Sequence, residues 1–337
     1  MFQKIFEGKA IINAPLEKKI SKDLPVFYNP IMEYNRTISI EILNILSKKE
    51  MDIALPLAGT GVRAVRFFKE LNKEIIKQIN INDYDKDAIT VIKKNLKNNK
   101  IKTKYKIYNL DANLFFTQSK AFDYIDIDPF GSPTPFLNNS IMHLKRDSIL
   151  AVTATDTSAL CGTYENACKR KYWAKPLHNE EMHEIGLRIL IRKCQLIGVQ
   201  FEKALIPIFS YSKDHYMRIF FKCIKGKSEC DKILKKHEYY KKSGPLWIGQ
   251  LKDKKLTTNI KLNDTFTKTL KQELDILGFY EIPSICKKEK ISQTKKINEI
   301  INEIKKQKYK VTRTHFAEQG IKTNMPYEKF IKILKKE

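Results

Sequence analysis

Residues 122–131 read Phe-Asp-Tyr-Ile-Asp-Ile-Asp-Pro-Phe-Gly, an apolar run that delivers a carboxylate, a proline and an aromatic ring to its end. Those three residue types suit a reaction at the amine of a planar base, whose lone pair is delocalised into the ring and is therefore a weak nucleophile. Asp128 can accept a hydrogen bond from such an amine and take its proton as a new bond forms at nitrogen. Pro129 offers a carbonyl that no local strand hydrogen bond claims, and Phe130 a face for stacking. Positioning supplies much of the rate, because the reacting atoms must align for in-line displacement. Asp126 shares a strand face with Asp128 by the period of two and is a secondary candidate. The plainer reading is that Asp-Pro merely begins the turn out of the strand.

A second group of residues has the spacing of a nucleotide site. Asp52 to Phe68 reads as strand, glycine turn and helix, and Gly59-x-Gly61-x-x-Ala64 lets a ligand approach the backbone closely. Asp83 follows 22 residues after Gly61, at the end of the next apolar run, where a carboxylate can accept hydrogen bonds from both hydroxyls of a ribose. This much serves NAD and S-adenosylmethionine alike. The two part at Asn109-Leu-Asp111-Ala112, where a carboxylate beside a small residue can bind adenine's amino group and leave room for the ring. Each aspartate has a plainer role as a solvated strand end or a helix cap. Arg63, beside the turn, has the guanidinium fork to steer a cofactor carboxylate; Arg36 is a second such candidate, with little local support.

The elements that must position these groups follow from periodicity. Short apolar runs ending at Leu55–Leu57, and at 79–82, 105–108, 122–127 and 149–153, alternate with helical periods, as a mainly parallel sheet covered by helices requires. Asp85 should cap a helix burying Ala88, Val91, Ile92 and Leu96, stopped by asparagines at 98–99. Pro25-Val-Phe-Tyr-Asn-Pro30 should form a rigid lid or flanking arm. Ile297, Ile300, Ile301 and Ile304 predict an amphipathic helix with a lysine-rich outer face. His178 and His183, among Glu180, Glu181 and Glu184, lack the His-Glu-x-x-His spacing and read as a capped helix with a solvated acidic turn.

The chain has 337 residues, 63 Lys and Arg against 38 Asp and Glu, and a net charge of +25, which favours a polyanionic partner, nucleic acid first. Residues 226–337 hold 27 basic and 14 acidic side chains, about twice the charge density of the first 225. Length favours two domains: an α/β unit over 1–225, with an arm over 1–50, and a smaller basic α+β domain over 226–337. The six cysteines have no zinc-type spacing, so no metal is expected. The absence of a leader or a long apolar run gives a cytoplasmic expectation, with no membrane association and no obligate protein partner evident.

Taken together, the motifs resemble the archaeal and eukaryotic tRNA guanine-26 N2-dimethyltransferases. The resemblance runs through Phe27-Tyr-Asn-Pro30, Asn35-Arg36, Gly61-Val-Arg63, Asp128-Pro-Phe-Gly-Ser132 and Thr153-Ala-Thr-Asp156. It continues through Leu160-Cys-Gly162, Arg170-Lys-Tyr172, His183-Glu-Ile-Gly186, Lys213-Asp-His-Tyr216, Gly244-Pro-Leu-Trp247 and Thr312-Arg-Thr-His-Phe316. It implies a Rossmann-like class I methyltransferase sheet with helices on both faces, using S-adenosylmethionine to methylate guanine N2 in tRNA once and then twice. It also implies cofactor contacts from Arg36, Arg63, Asp83, Asp111 and Ala112, with Asp128 catalytic and Phe27, Pro129 and Phe130 at the base. The basic second domain would hold the RNA while the base is turned out of its stack. Some relatives carry a four-cysteine zinc site that this chain lacks. Competing readings are methylation of another RNA base and an NAD-dependent oxidoreductase.

Overall fold

The computed structural model describes residues 2–15 and 26–335, so Pro25 of the expected arm lies outside the described residues. Phe2–Glu7 (β1) pairs antiparallel with Ala10–Pro15 (β2). After a 3-10 turn at Pro30–Met32, Glu33–Leu46 (α1) leads into alternating strands and helices. These are Met51–Leu55 (β3), Val62–Glu70 (α2), Ile76–Asn82 (β4), Lys86–Asn98 (α3), Tyr105–Tyr108 (β5), Ala112–Thr117 (α4), Phe122–Ile127 (β6), Thr134–Met142 (α5) and Leu144–Ala154 (β7). Thr157–Leu160 (α6), Glu165–Tyr172 (α7) and Met182–Gln200 (α8) precede Lys203–Lys213 (β8) and Tyr216–Lys225 (β9).

Seven strands form one sheet in the order β5-β4-β3-β6-β7-β9-β8. β3 runs parallel to β4 and β6, β4 to β5, and β6 to β7. Only two residues connect β8 to β9, a link that antiparallel neighbours can make and parallel ones cannot. β5 and β6 occupy the residues their apolar pattern predicts. β4 begins at Ile76 and β7 at Leu144, earlier than expected, because exposed Lys77, Arg146 and Asp147 interrupt the apolar run without ending the strand. Ile53, Ile79, Tyr124, Ile125 and Leu150 are fully buried, each burial contributing roughly 1.5–3 kcal/mol.

α3 starts where expected, Asp85 Oδ1 accepting the Asp87 amide at 2.8 Å, and its apolar stripe is buried. Its asparagines do more than stop it. Asn95 and Asn99 accept the amides of Asn13 and Ile11 at 2.8 and 3.0 Å, so side chains one turn apart satisfy an edge strand that would otherwise expose its hydrogen-bonding groups.

The chain groups into two units that do not divide at a single point near residue 226. The first holds residues 1–155, 194–208 and 218–234; the second holds 156–193, 209–217 and 235–337. Within the second, His237–Tyr240 pairs with Ser243–Trp247, and a three-stranded sheet is formed by Tyr280–Glu281, Gly320–Thr323 and Val311–Arg313. The helix Ile297–Lys306 buries Ile300 and Ile304 completely, as its spacing predicts, in a core with Ile282, Ile321, Phe330 and Leu334.

Candidate active site

Strand order reverses at β3: the chain leaves it toward β4 and β5, then returns to its other side with β6. The crevice at the carboxyl ends beside such a reversal is where open α/β sheets bind ligands. The glycine turn lies there. Gly59 and Gly61 have φ of +54° and +74°, and a Cβ on Gly59 would stand 2.8 Å from the Phe27 carbonyl oxygen. Any side chain is therefore excluded by backbone as well as by φ. The Gly59 amide donates to Asp83 Oδ2 at 2.7 Å and the Asp85 amide to Asp83 Oδ1 at 3.0 Å. Burial raises the pKa of Asp83, and these amides only partly oppose it. Asn109 bonds the carbonyls of Asp83 and Tyr84 at 3.0 and 2.7 Å, tying the ends of β4 and β5 together. Asp111 is exposed and caps α4, with Oδ1 accepting the amides of Asn113 and Leu114 at 2.8 and 3.3 Å; buried Ala112 follows it.

At the tip of β6 the structure adds a relation that spacing does not show: Arg63 is ion-paired with Asp128. Arg63 is buried, and it also donates to Ser39 Oγ and Asn35 Oδ1, each at 2.9 Å. Its Nη1 lies 3.2 Å from Asp126 Oδ2. Asp128 keeps 19 % of its side chain exposed, whereas that of Asp126 is 1 % exposed. Asp126 is thus sealed away from any substrate. It is held by Nη1 and Nη2 of Arg218, each at 2.8 Å, and by the Tyr124 hydroxyl at 2.5 Å. Burial opposes charge on Asp126, but Arg218 and Arg63 outweigh it and hold its pKa below the ordinary value. Arg218, fully buried, also donates to Thr153 Oγ1 at 2.8 Å and Ser39 Oγ at 2.9 Å. Two guanidinium groups and two carboxylates therefore form one chain ending at Asp128. Arg218 is the residue that motif spacing missed. The signal was present, since a lone arginine inside the apolar strand Tyr-Met-Arg-Ile-Phe-Phe must find a buried partner.

Phe27 and Phe130, both partly exposed, meet edge to face with centroids 5.7 Å apart, bringing arm and strand tip together. Pro129 between Asp128 and Phe130 is buried, and no hydrogen bond among the described residues claims its carbonyl. The loop after it is fixed from both sides: the Gly131 amide donates to Thr155 Oγ1 at 2.7 Å, and the Thr155 amide to the Gly131 carbonyl at 3.0 Å. Arg36 is placed differently from Arg63. Its fork closes on Glu7 at 2.6 and 2.5 Å, and Glu7 also accepts from Arg66 at 3.1 Å and from the Tyr28 hydroxyl at 2.9 Å. Burial pushes the Glu7 pKa up, and the two guanidinium groups more than reverse it.

Of the glutamates in the acidic turn near His183, expected to be solvated, only Glu180 is exposed. Glu181 and Glu184 are 1 % and 0 % exposed, the first paired with Lys241 and Tyr240, the second with Arg188 and Lys322. Arg188 lies one turn along the same helix, but Lys241 and Lys322 come from distant positions, which local polarity could not reveal. No His, Cys, Asp and Glu cluster able to hold a metal occurs among the described residues.

A glycine turn, two carboxylates at successive strand ends and a third carboxylate beside paired aromatic rings define an α/β nucleotide-cofactor enzyme. The match to the family model for N2,N2-dimethylguanosine tRNA methyltransferase, over residues 8–243 and 237–335, shows that the chain belongs to that family. It is 37% identical to the tRNA (guanine(26)-N(2))-dimethyltransferase of Pyrococcus horikoshii, over 98% of this chain and 97% of that one. With the tRNA (guanine(26)-N(2)/guanine(27)-N(2))-dimethyltransferase of Aquifex aeolicus it shares 35% identity, over 97% and 94%. The solved complex of Trm1 from Pyrococcus horikoshii with S-adenosyl-L-methionine superposes with a TM-score of 0.91 at 35% identity, covering 99% of this chain and 100% of that one.

Proposed function

We propose that this chain transfers methyl groups from S-adenosylmethionine to the exocyclic N2 of guanine 26 in tRNA, once and then again. The observation that carries the reading is the arrangement at the end of β6. Asp128 is partly open to solvent, anchored by Arg63, and followed by a ring that meets Phe27. The relatives named above carry the same activity in their names; an oxidoreductase is not favoured by any of them.

The cradle fits the cofactor. Gly59 excludes a side chain, and the Thr60 hydroxyl, buried in the same turn, has no partner among the described residues. Asp83 would take the ribose hydroxyls, and Asp111, whose cap uses Oδ1, the adenine amine beside Ala112. Arg63 would face the cofactor's carboxylate, and Arg36 would have to share its fork with Glu7 to do so. When bound, S-adenosylmethionine supplies an electrophilic methyl group. The guanine would stack on Phe130 with Phe27 against its edge, its amine donating to Asp128 and to the Pro129 carbonyl. Arg63 holds Asp128 in position through their ion pair, so that the carboxylate can receive the proton the amine gives up. After one transfer a hydrogen remains on N2, and the same carboxylate can serve the second.

Such an enzyme would work in the cytoplasm, and among the described residues no helix is long and apolar enough to cross a membrane. Nucleoside mass spectrometry on unmodified tRNA incubated with the chain and S-adenosylmethionine tests the reading. It predicts dimethylguanosine, lost when guanine 26 is replaced by adenine; methylation unaffected by that replacement would refute it.

A further inference from the structure

The last turn of α7 contains Lys169, Arg170 and Lys171, and the chain continues Tyr172-Trp173-Ala174-Lys175. Trp173 ends that helix in the left-handed region, φ 56° and ψ 39°. Glycine takes that conformation freely, whereas a bulky residue does so at a cost. Helix termination does not require an indole. The ring is 50 % exposed, and the Lys193 ammonium sits over it, 2.8 Å from the centroid. Arg192 Nη1 donates to the Trp173 carbonyl at 3.3 Å, while its buried Nε has no partner.

The next residues are joined to a hairpin. Lys175 and Gly244 exchange backbone hydrogen bonds of 2.8 and 2.9 Å, and Gly244 belongs to the strand paired with His237–Tyr240. That hairpin brings Lys235, Lys236, Lys241 and Lys242, and Tyr239, 72 % exposed and within electrostatic reach of Arg192. Some of these cations are internally balanced: Lys169 by Glu165 at 2.6 Å, Lys171 by Asp156 at 3.1 Å, and Lys241 by Glu181. Arg170, Lys175, Lys235 and Lys242 are exposed and enter no ion pair among the described residues. The helix dipole accounts for cations in the last turn of α7. It accounts neither for lysines on a hairpin nor for a strained, exposed tryptophan.

We propose that this face docks folded RNA, its unpaired cations on phosphates and Trp173, with Tyr239, stacked on a base that lies outside a helix. The inference rests on the RNA substrate proposed above, and it adds residues 169–175 to the basic surface expected only beyond residue 226. Four full-length proteins test it on an unmodified tRNA transcript across a KCl series, read by fluorescence anisotropy: wild type, the triple variant Arg170→Gln/Lys175→Gln/Lys242→Gln, Trp173→Gly and Tyr239→Ala. If all three cations contact phosphate, the triple variant lowers the slope of log affinity against log salt by about 2 to 3. Trp173→Gly lowers affinity roughly 5- to 150-fold with the slope unchanged, and glycine suits the left-handed position. Tyr239→Ala, away from any strained backbone, should also weaken binding. Wild-type slope and affinity in the triple variant, or wild-type affinity in both aromatic variants, would overturn the docking face while leaving the methylation reading intact. A wild-type chain that binds anionic vesicles and no tRNA would refute both.

Discussion

Replacing Arg218 by methionine removes one guanidinium from a set of two that balances two carboxylates. In the native structure Arg218 grips Asp126 with two bonds of 2.8 Å, and Asp126 is 1 % exposed. Without it, Arg63 faces Asp126 and Asp128 alone, and one carboxylate is left buried and poorly compensated. Breaking such a pair costs about 3–5 kcal/mol, a large share of the roughly 5–15 kcal/mol that holds an ordinary domain folded. At roughly 2–4 °C per kcal/mol for a unit of this size, the melting temperature should fall by about 6–20 °C. The informative partner is the double variant Arg218→Met/Asp126→Leu, which deletes one charge of each sign and leaves Arg63 with Asp128. It should regain at least about 2 kcal/mol over Arg218→Met, because apolar replacement of a whole buried pair is often neutral. Denaturant melts of wild type, both single variants and the double close the cycle. Losses that simply add would refute the claim that the four groups act as one balanced network.

Further outcomes follow from the same geometry. Phe130→Ala should reduce kcat/KM for tRNA by roughly 5- to 150-fold while leaving S-adenosylhomocysteine affinity unchanged, since a stacked base contributes about 1–3 kcal/mol; calorimetry and initial rates check it. Gly59→Ala should abolish cofactor binding in a thermal-shift assay, because a Cβ there meets the Phe27 carbonyl at 2.8 Å. Burial raises the pKa of Asp83, so the carboxylate is protonated sooner as pH falls. Cofactor affinity should therefore begin to weaken at a pH above the ordinary aspartate value of about 3.9. In Asp83→Asn that component should vanish and affinity should be low throughout; an identical acid limb in the variant would exclude Asp83 as its source.

Much of this site was legible without coordinates because strand ends and glycine turns are local signals. The β6 tip is one continuous stretch, and period two puts Asp126 and Asp128 on one face. What period two cannot say is which of them meets solvent. That was decided by Arg218, 92 residues away in sequence, whose reach to Asp126 turned a second candidate into a sealed support. Glu7 in the hairpin claims Arg36 for the same kind of reason, across 29 residues. The asparagines at the end of α3 read as a stop signal, and their second role, pairing β2, depends on an edge strand more than 80 residues upstream. Long-range pairing of charges and amides leaves almost no periodic trace, whereas a strand or a cap announces itself within a few residues. The two units show the same limit: composition marked residue 226, but the second unit gathers three separated segments.

The account turns on Asp128 as the carboxylate that receives the amine's hydrogen, and a single-turnover comparison of wild type with Asp128→Asn tests it most directly. With S-adenosylhomocysteine and tRNA affinities measured in parallel, the variant should bind both within about threefold of wild type and methylate guanine 26 slower by a factor of roughly 10² to 10⁴. Equal rates of mono- and dimethylguanosine formation in the two proteins would contradict it.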